Sequence, residues 1–136
     1  METRRIIILC MTLSLLSVTS LAFAQRIYNP ATVETIAGTV ESVDKIMNTN
    51  GKSYGIHLKV KTEKETLPVH LGPAWHIDKL ATKIEKGDKI EVKGSRVVMT
   101  GKPAIIAAEV KKGNSTMHLR DQNGRPVWAG KRGNNQ

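Results

Sequence analysis

Ile56-His57-Leu58-Lys59-Val60-Lys61 is followed by Thr62-Glu63-Lys64-Glu65 and then, after Thr66, by Leu67-Pro68-Val69-His70-Leu71-Gly72-Pro73. Ile56, Leu58 and Val60 alternate with His57, Lys59 and Lys61, the period-2 pattern of a strand with one buried face. Leu67, Val69 and Leu71 alternate with Pro68 and His70 in the same way. The polar residues between the two runs make a hairpin tip. A tip at Glu63-Lys64 pairs Thr62 with Glu65, and counting back from it sets His57 opposite His70. Opposed residues of an antiparallel pair share a face, with Cβ atoms about 4.5–5.5 Å apart. Two imidazoles are therefore expected side by side on the outer face of the hairpin. Pro68 has no N–H for a ladder and belongs at an edge or a bulge.

Upstream, residues 33–47 are rich in β-branched side chains and are interrupted by Gly38, which marks a bulge or bend in a long first strand. Asn48-Thr49-Asn50-Gly51 is a turn in which Asn-Gly supplies positive φ. Downstream, Gly72-Pro73 opens a helix with Pro at its first position. Ile77, Leu80 and Ile84 share one face of it, Trp75 lies near its start on the buried face, and Gly87 stands where a left-handed cap is expected. Ile90 to Met99 and Ala104 to Val110 read as two more strands, with a shorter one at Met117 to Leu119. The order strand, strand, strand, helix, strand, strand fits an all-β fold with one short helix, the five-stranded OB-like Greek-key barrel. A short C-terminal strand and a tail follow.

The first 24 residues pair Arg4-Arg5 with an apolar run from Ile6 to Leu16 and a terminal Ala22-Phe23-Ala24. That is the architecture of a secretory signal peptide cut before Gln25. The alternative is an uncleaved anchor, but the run is shorter and more polar than the ~20 residues that span a bilayer. The expected organisation is a signal peptide over 1–24, a leader over 25–32, the barrel over 33–128 and a disordered basic tail over 129–136. After cleavage no transmembrane segment is expected, and the compartment is a bacterial periplasm.

The single cysteine, Cys10, lies inside the apolar run. The exported domain thus has no disulfide framework, thiolate zinc site, cysteine nucleophile or c-type haem attachment. Removing Arg4, Arg5 and Glu2 from totals of 21 basic and 12 acidic residues leaves 19 against 11. A basic exported domain can meet an anionic surface, an acidic polymer or an acidic protein, and the same charge spread singly along a chain also serves solubility. Lys59, Lys61 and Lys64 on the hairpin, with Arg125, Lys131 and Arg132 in the tail, are the basic surfaces to consider.

The histidines carry the main chemical lead. His57 and His70, with His76 third, offer neutral imidazoles of the kind that ligate copper, zinc or haem iron. The competing reading is a pair of surface histidines, since Lys59 and Lys61 on the same face oppose a cation. No G-x-S-x-G elbow and no phosphate-cradling glycine loop is present, so a non-enzymatic binding or accessory module is expected. OB-like barrels bind single strands through aromatic platforms. This domain offers only Tyr28, Tyr54, Trp75 and Trp128, and export argues further against nucleic acid. Gly72 and Pro73 at the strand end, and Trp75 and Trp128 as packing indoles, are read as architectural.

Gly38-Thr39-Val40, His70-Leu71-Gly72-Pro73-Ala74-Trp75 and the stretch from Leu119-Arg120-Asp121 to Gly124-Arg125-Pro126-Val127-Trp128 carry a family likeness. Over roughly residues 34–130 the chain resembles a small exported bacterial domain that also occurs toward the C-terminal side of the magnetosome proteins MamS and MamX. The resemblance implies a β-rich domain in the periplasm, working near iron or redox chemistry; the partner expected from the basic charge is a periplasmic protein or an anionic surface. The Cys-x-x-Cys-His haem motif that accompanies some magnetosome proteins is missing here, so the resemblance is to the barrel alone.

Overall fold

The computed structural model describes residues 28–48 and 51–130. Residues 1–24, read above as a signal peptide, the first leader residues and the tail positions Lys131 and Arg132 lie outside the described residues. Six strands are present: β1 (Val33–Met47), β2 (Tyr54–Lys61), β3 (Thr66–Pro73), β4 (Lys89–Met99), β5 (Lys102–Lys112) and β6 (Ser115–His118). One turn of helix, α1 (Ala74–Ile77), follows β3, and a 3-10 turn at Pro30–Thr32 precedes β1.

The strands form one sheet in the order β3-β2-β1-β4-β5-β6, and β3 also pairs with β5 in parallel. That last pairing closes the first five strands into a ring and leaves β6 outside it, the OB-like barrel expected from the strand order. Closure removes the exposed edges that a sheet this small would otherwise present. The seam is short. It consists of Val69 opposite Ile105 and His70 opposite Ile106.

Strand β1 serves two neighbours. Val33 to Thr39 pair with β4, and Thr39 to Met47 pair with β2. At the change of partner, Gly38 approaches β2 so closely that a Cβ there would meet the Lys61 carbonyl. The register then shifts between Val40 and Ser42. The kink expected at Gly38 is this crossing. Gly94 plays the same part in β4, where a Cβ would meet the Ile106 carbonyl beside a second register shift.

The alternation read from the hairpin puts Ile56, Leu58, Val60, Leu67, Val69 and Leu71 in the core. Strand β5 is buried on both faces. Ile105, Ala107 and Val110 point into the barrel, while Ala104, Ile106 and Ala108 pack against Tyr28 and Val97 in a second cluster. Outside the barrel, Arg96 forks onto Glu34 at 2.8 Å and reaches Glu65 at 3.1 Å. One guanidinium thus joins β1, β4 and the base of the β2–β3 tip, and it holds the Glu34 carboxyl below its ordinary pKa. Among the described residues no helix is long and apolar enough to cross a membrane.

The helix is shorter than its periodicity suggests. It ends at Ile77, and Pro73 occupies the position before its first residue rather than the first position itself. Leu80 and Ile84 still pack on the core, but from irregular chain. Side chains satisfy that chain's backbone where helical bonds would have done so. Lys83 and Lys112 ammonium groups donate to the carbonyls of Asp78 and Lys83, and the Asp88 carboxylate accepts from the Glu85 N–H. Local bonds of this kind compete with helix, whose nucleation is costly in so short a segment. Gly87, with φ +93°, caps no helix and instead donates its N–H to Val40 of β1 at 2.8 Å. Trp75 is not among the core residues; Ala74 and Ile77 are what α1 buries. Strand β6 begins at Ser115, two residues before the expected Met117.

Gly38→Ala and Gly94→Ala should each destabilise the barrel by about 1–3 kcal/mol, the usual range for overpacking. Urea unfolding of each variant measures it, and Gly55, a strand glycine without positive φ whose Cβ would meet nothing closer than 3.4 Å, is the position against which to compare the steric part of the loss.

Candidate functional site

The β2–β3 hairpin delivers the two histidines together. Its tip is closed by Thr62, whose N–H donates to the Glu65 carbonyl at 2.8 Å and whose hydroxyl donates to the same oxygen at 2.9 Å. That turn sets the register, and His57 stands opposite His70. The ring centroids are 3.9 Å apart with planes inclined at 44°. The register shifts just beyond, between Ile56 and His57, as β3 bends toward α1. Gly55 leaves room on one side, since a Cβ there would lie 3.4 Å from His57 Nε2.

The pair opens into a cleft of about 470 Å³ whose lining includes Asn48, Ser53, Pro73, Trp75, Arg120 and Trp128. Among the described residues no carboxylate lines it. Burial is the main reason both imidazoles resist protonation. His70 is pushed down to about 4, with the charges of His57 and Arg120 adding to the effect. His57 is also lowered by burial, partly offset by Asp44, which faces it from β1. Both rings are therefore neutral at pH 7. Neither makes a hydrogen bond to another described residue.

Sequence reading assigned no role to Arg120, although it sits in one of the stretches that stood out. It follows β6 and reaches back over the barrel seam. Its Nη1 donates to the carbonyl of Leu71 on β3 at 3.1 Å and to that of Ala107 on β5. These are the residues immediately after the last parallel pair, His70 and Ile106. The guanidinium lies 5.0 Å from the centre of the Trp128 ring. Among the described residues no carboxylate forms an ion pair with it, and burial lowers its pKa to about 10.

The chain after Arg120 forms a strap that carries the second indole. Asp121 Oδ1 accepts from the N–H groups of Asn123 and Arg125 at 2.9 Å each, which folds the Asp-Gln-Asn-Gly turn. Arg120 then bridges Pro126, and the Val127 N–H donates to the Leu119 carbonyl at 3.0 Å. Trp128 lands on the core and on Gly72, where a Cβ would lie 2.6 Å from the ring. Gly72 is required there twice over, by that contact and by its φ of +157°.

His76 does not join the pair as a third ligand. Its ring sits between the two indoles, 5.9 Å from Trp75 and 5.1 Å from Trp128. Among the described residues no three His, Cys, Asp or Glu side chains converge as a metal cage requires. Lys59, Lys61, Lys64 and Arg125 are exposed and stand apart from the cleft lining. Trp75 lines the cleft wall, with the Lys79 ammonium 5.9 Å from its ring.

The depressed imidazoles set a pH dependence. Unfolded His70 takes up a proton near 6.5 and folded His70 near 4. Between those values the unfolded state holds more protons, so stability falls as pH drops through that window. The ring meets solvent in the cleft, which reduces the effect to about 1–2 kcal/mol. Thermal melts from pH 7 down to pH 4.5 should show this decline, and His70→Gln should flatten it. Gly72→Ala should displace Trp128, read as a red shift in tryptophan emission.

Comparison with known protein families adds the lineage. Residues 32–117 match the MamS/MamX magnetosome protein family. The matched segment contains the five-strand ring, His57 and His70, and it stops short of Arg120 and Trp128. No individually curated protein matches the chain. With more than half of its length matched, and with the barrel that the likeness implied in place, the chain belongs to the MamS/MamX magnetosome protein family.

Proposed function

We propose that this chain is an exported accessory protein of its family that works by holding a ligand in the His57–His70 cleft rather than by catalysing a reaction. The observation that carries this reading is the cleft itself: two neutral imidazoles in contact, without a hydrogen bond among the described residues, beside two indoles and a half-buried arginine. Export rests on the basic start, the Ile6–Leu16 run and the Ala-x-Ala end of the first 24 residues. A non-catalytic role is supported by what lines the cleft. Among the described lining residues no carboxylate is there to orient either imidazole as a general base, and Ser53 Oγ accepts a hydrogen bond from Asn48 Nδ2 at 2.7 Å. The exposed Lys59, Lys61 and Lys64 offer a separate face to a periplasmic protein or an anionic surface. Nucleic acid is disfavoured, because only two of the four tryptophan and tyrosine rings, Trp75 and Trp128, line the cleft.

A second reading is favoured by one feature of the same pair. Two uncharged imidazoles on facing strands are a two-point donor set for copper, zinc or haem iron. The Arg120 charge works against a dication at that place.

Native mass spectrometry of the protein recovered from a bacterial periplasm should show a bound species that is lost in His57→Ala/His70→Ala. Calorimetric titration with Cu(II), Zn(II) and haem then separates the two readings: micromolar binding lost in the double variant assigns a metal or haem. A wild type without adduct and without binding in any of these titrations would remove the metal and haem reading.

A further inference from the structure

Arg120 has five N–H donors in a planar fork. Nη1 is committed to the carbonyls of Leu71 and Ala107. The Nε and Nη2 edge has no acceptor among the described residues, and it is not shut away from solvent. That edge is the one that pairs bidentately with a carboxylate or phosphate. A half-buried cation with no acid beside it among the described residues is costly, and an anion arriving at it removes the cost. The surroundings agree. The guanidinium lies over Trp128, the cleft has no acid among its described lining residues, and Pro73, Trp75 and Trp128 give it apolar walls. Arg120 also borders a second cavity of about 460 Å³, but Glu109 and Asp121 line that one and repel an anion.

From this placement we infer that the cleft binds an anionic oxygen ligand, a carboxylate or phosphate group, docked on the free edge of Arg120 with its body against Trp128. The inference rests on the reading of the cleft as the ligand site and fixes the sign of the ligand's charge. The imidazoles serve it as neutral neighbours. Each can offer an N–H to the anion without bringing a charge of its own.

The test uses benzoate and inorganic phosphate at constant ionic strength, titrated into the ¹⁵N-labelled protein. The Arg120 Nε–H and Trp128 indole N–H signals report on the site without any substitution. Saturable shifts of both signals with either anion are expected. Tighter benzoate assigns an organic carboxylate, and tighter phosphate a free or esterified phosphate. Arg120→Lys keeps the charge but loses the fork, and should weaken binding tenfold or more. Undiminished binding in that variant overturns the inference. Should the variant fail to fold, the wild type decides alone: non-saturating shifts scattered over surface lysines, or no shift at tens of millimolar anion, overturn it. A metal or haem adduct with no anion binding sinks this inference and leaves the cleft standing as a site, whereas loss of both removes the cleft.

Discussion

The barrel depends on how β3 meets β5. Two parallel pairs make the seam, and parallel pairing is the weaker kind per residue. Beyond the second pair the strands diverge, because β3 must bend toward α1. The two carbonyls left at that point, of Leu71 and Ala107, would be buried without donors. Arg120 reaches both with one nitrogen. Its guanidinium stands where the next rung of the ladder would be, and a charge-assisted bond replaces an ordinary one.

This substitution ties the fold to the cleft. A methylene chain brings the guanidinium to the seam, and the same group then sets the potential around His70 and meets the face of Trp128. Closure of the ring and the electrostatics of the site cannot be altered separately at this residue. The imidazoles stay neutral for a related reason. They are held against each other and against a cation, in a place where burial already disfavours charge.

The hairpin was legible because it is local. Period-2 alternation gives the buried face, a four-residue polar tip gives the register, and the opposition of His57 and His70 follows by counting. Gly38 was legible as a kink, though its cause, a crossing between two partner strands, involves Lys61 far along the chain. The helix was overread. Ile77, Leu80 and Ile84 are spaced for one helical face, but the same spacing is met by loop chain that returns Leu80 and Ile84 to the barrel mouth, and the lysine and aspartate bonds that hold that loop leave no periodic trace. Arg120 was illegible for a stronger reason. Nothing in Leu119-Arg120-Asp121 distinguishes an arginine that spans two strands from one that faces water. Its partners are backbone carbonyls at Leu71 and Ala107, and any residue has one.

The second indole reaches the cleft on the strap that follows β6, and β6 lies outside the ring. The five strands supply the imidazoles, and the strap supplies Arg120 and Trp128. Two parts of the gene therefore write two walls of one cavity. Changes at Ala129 and Gly130, exposed cleft-lining positions past Trp128, can retune that wall while Arg120 and Trp128 stay on the seam and the core. In such an arrangement a lineage can keep its scaffold and diversify what the scaffold holds.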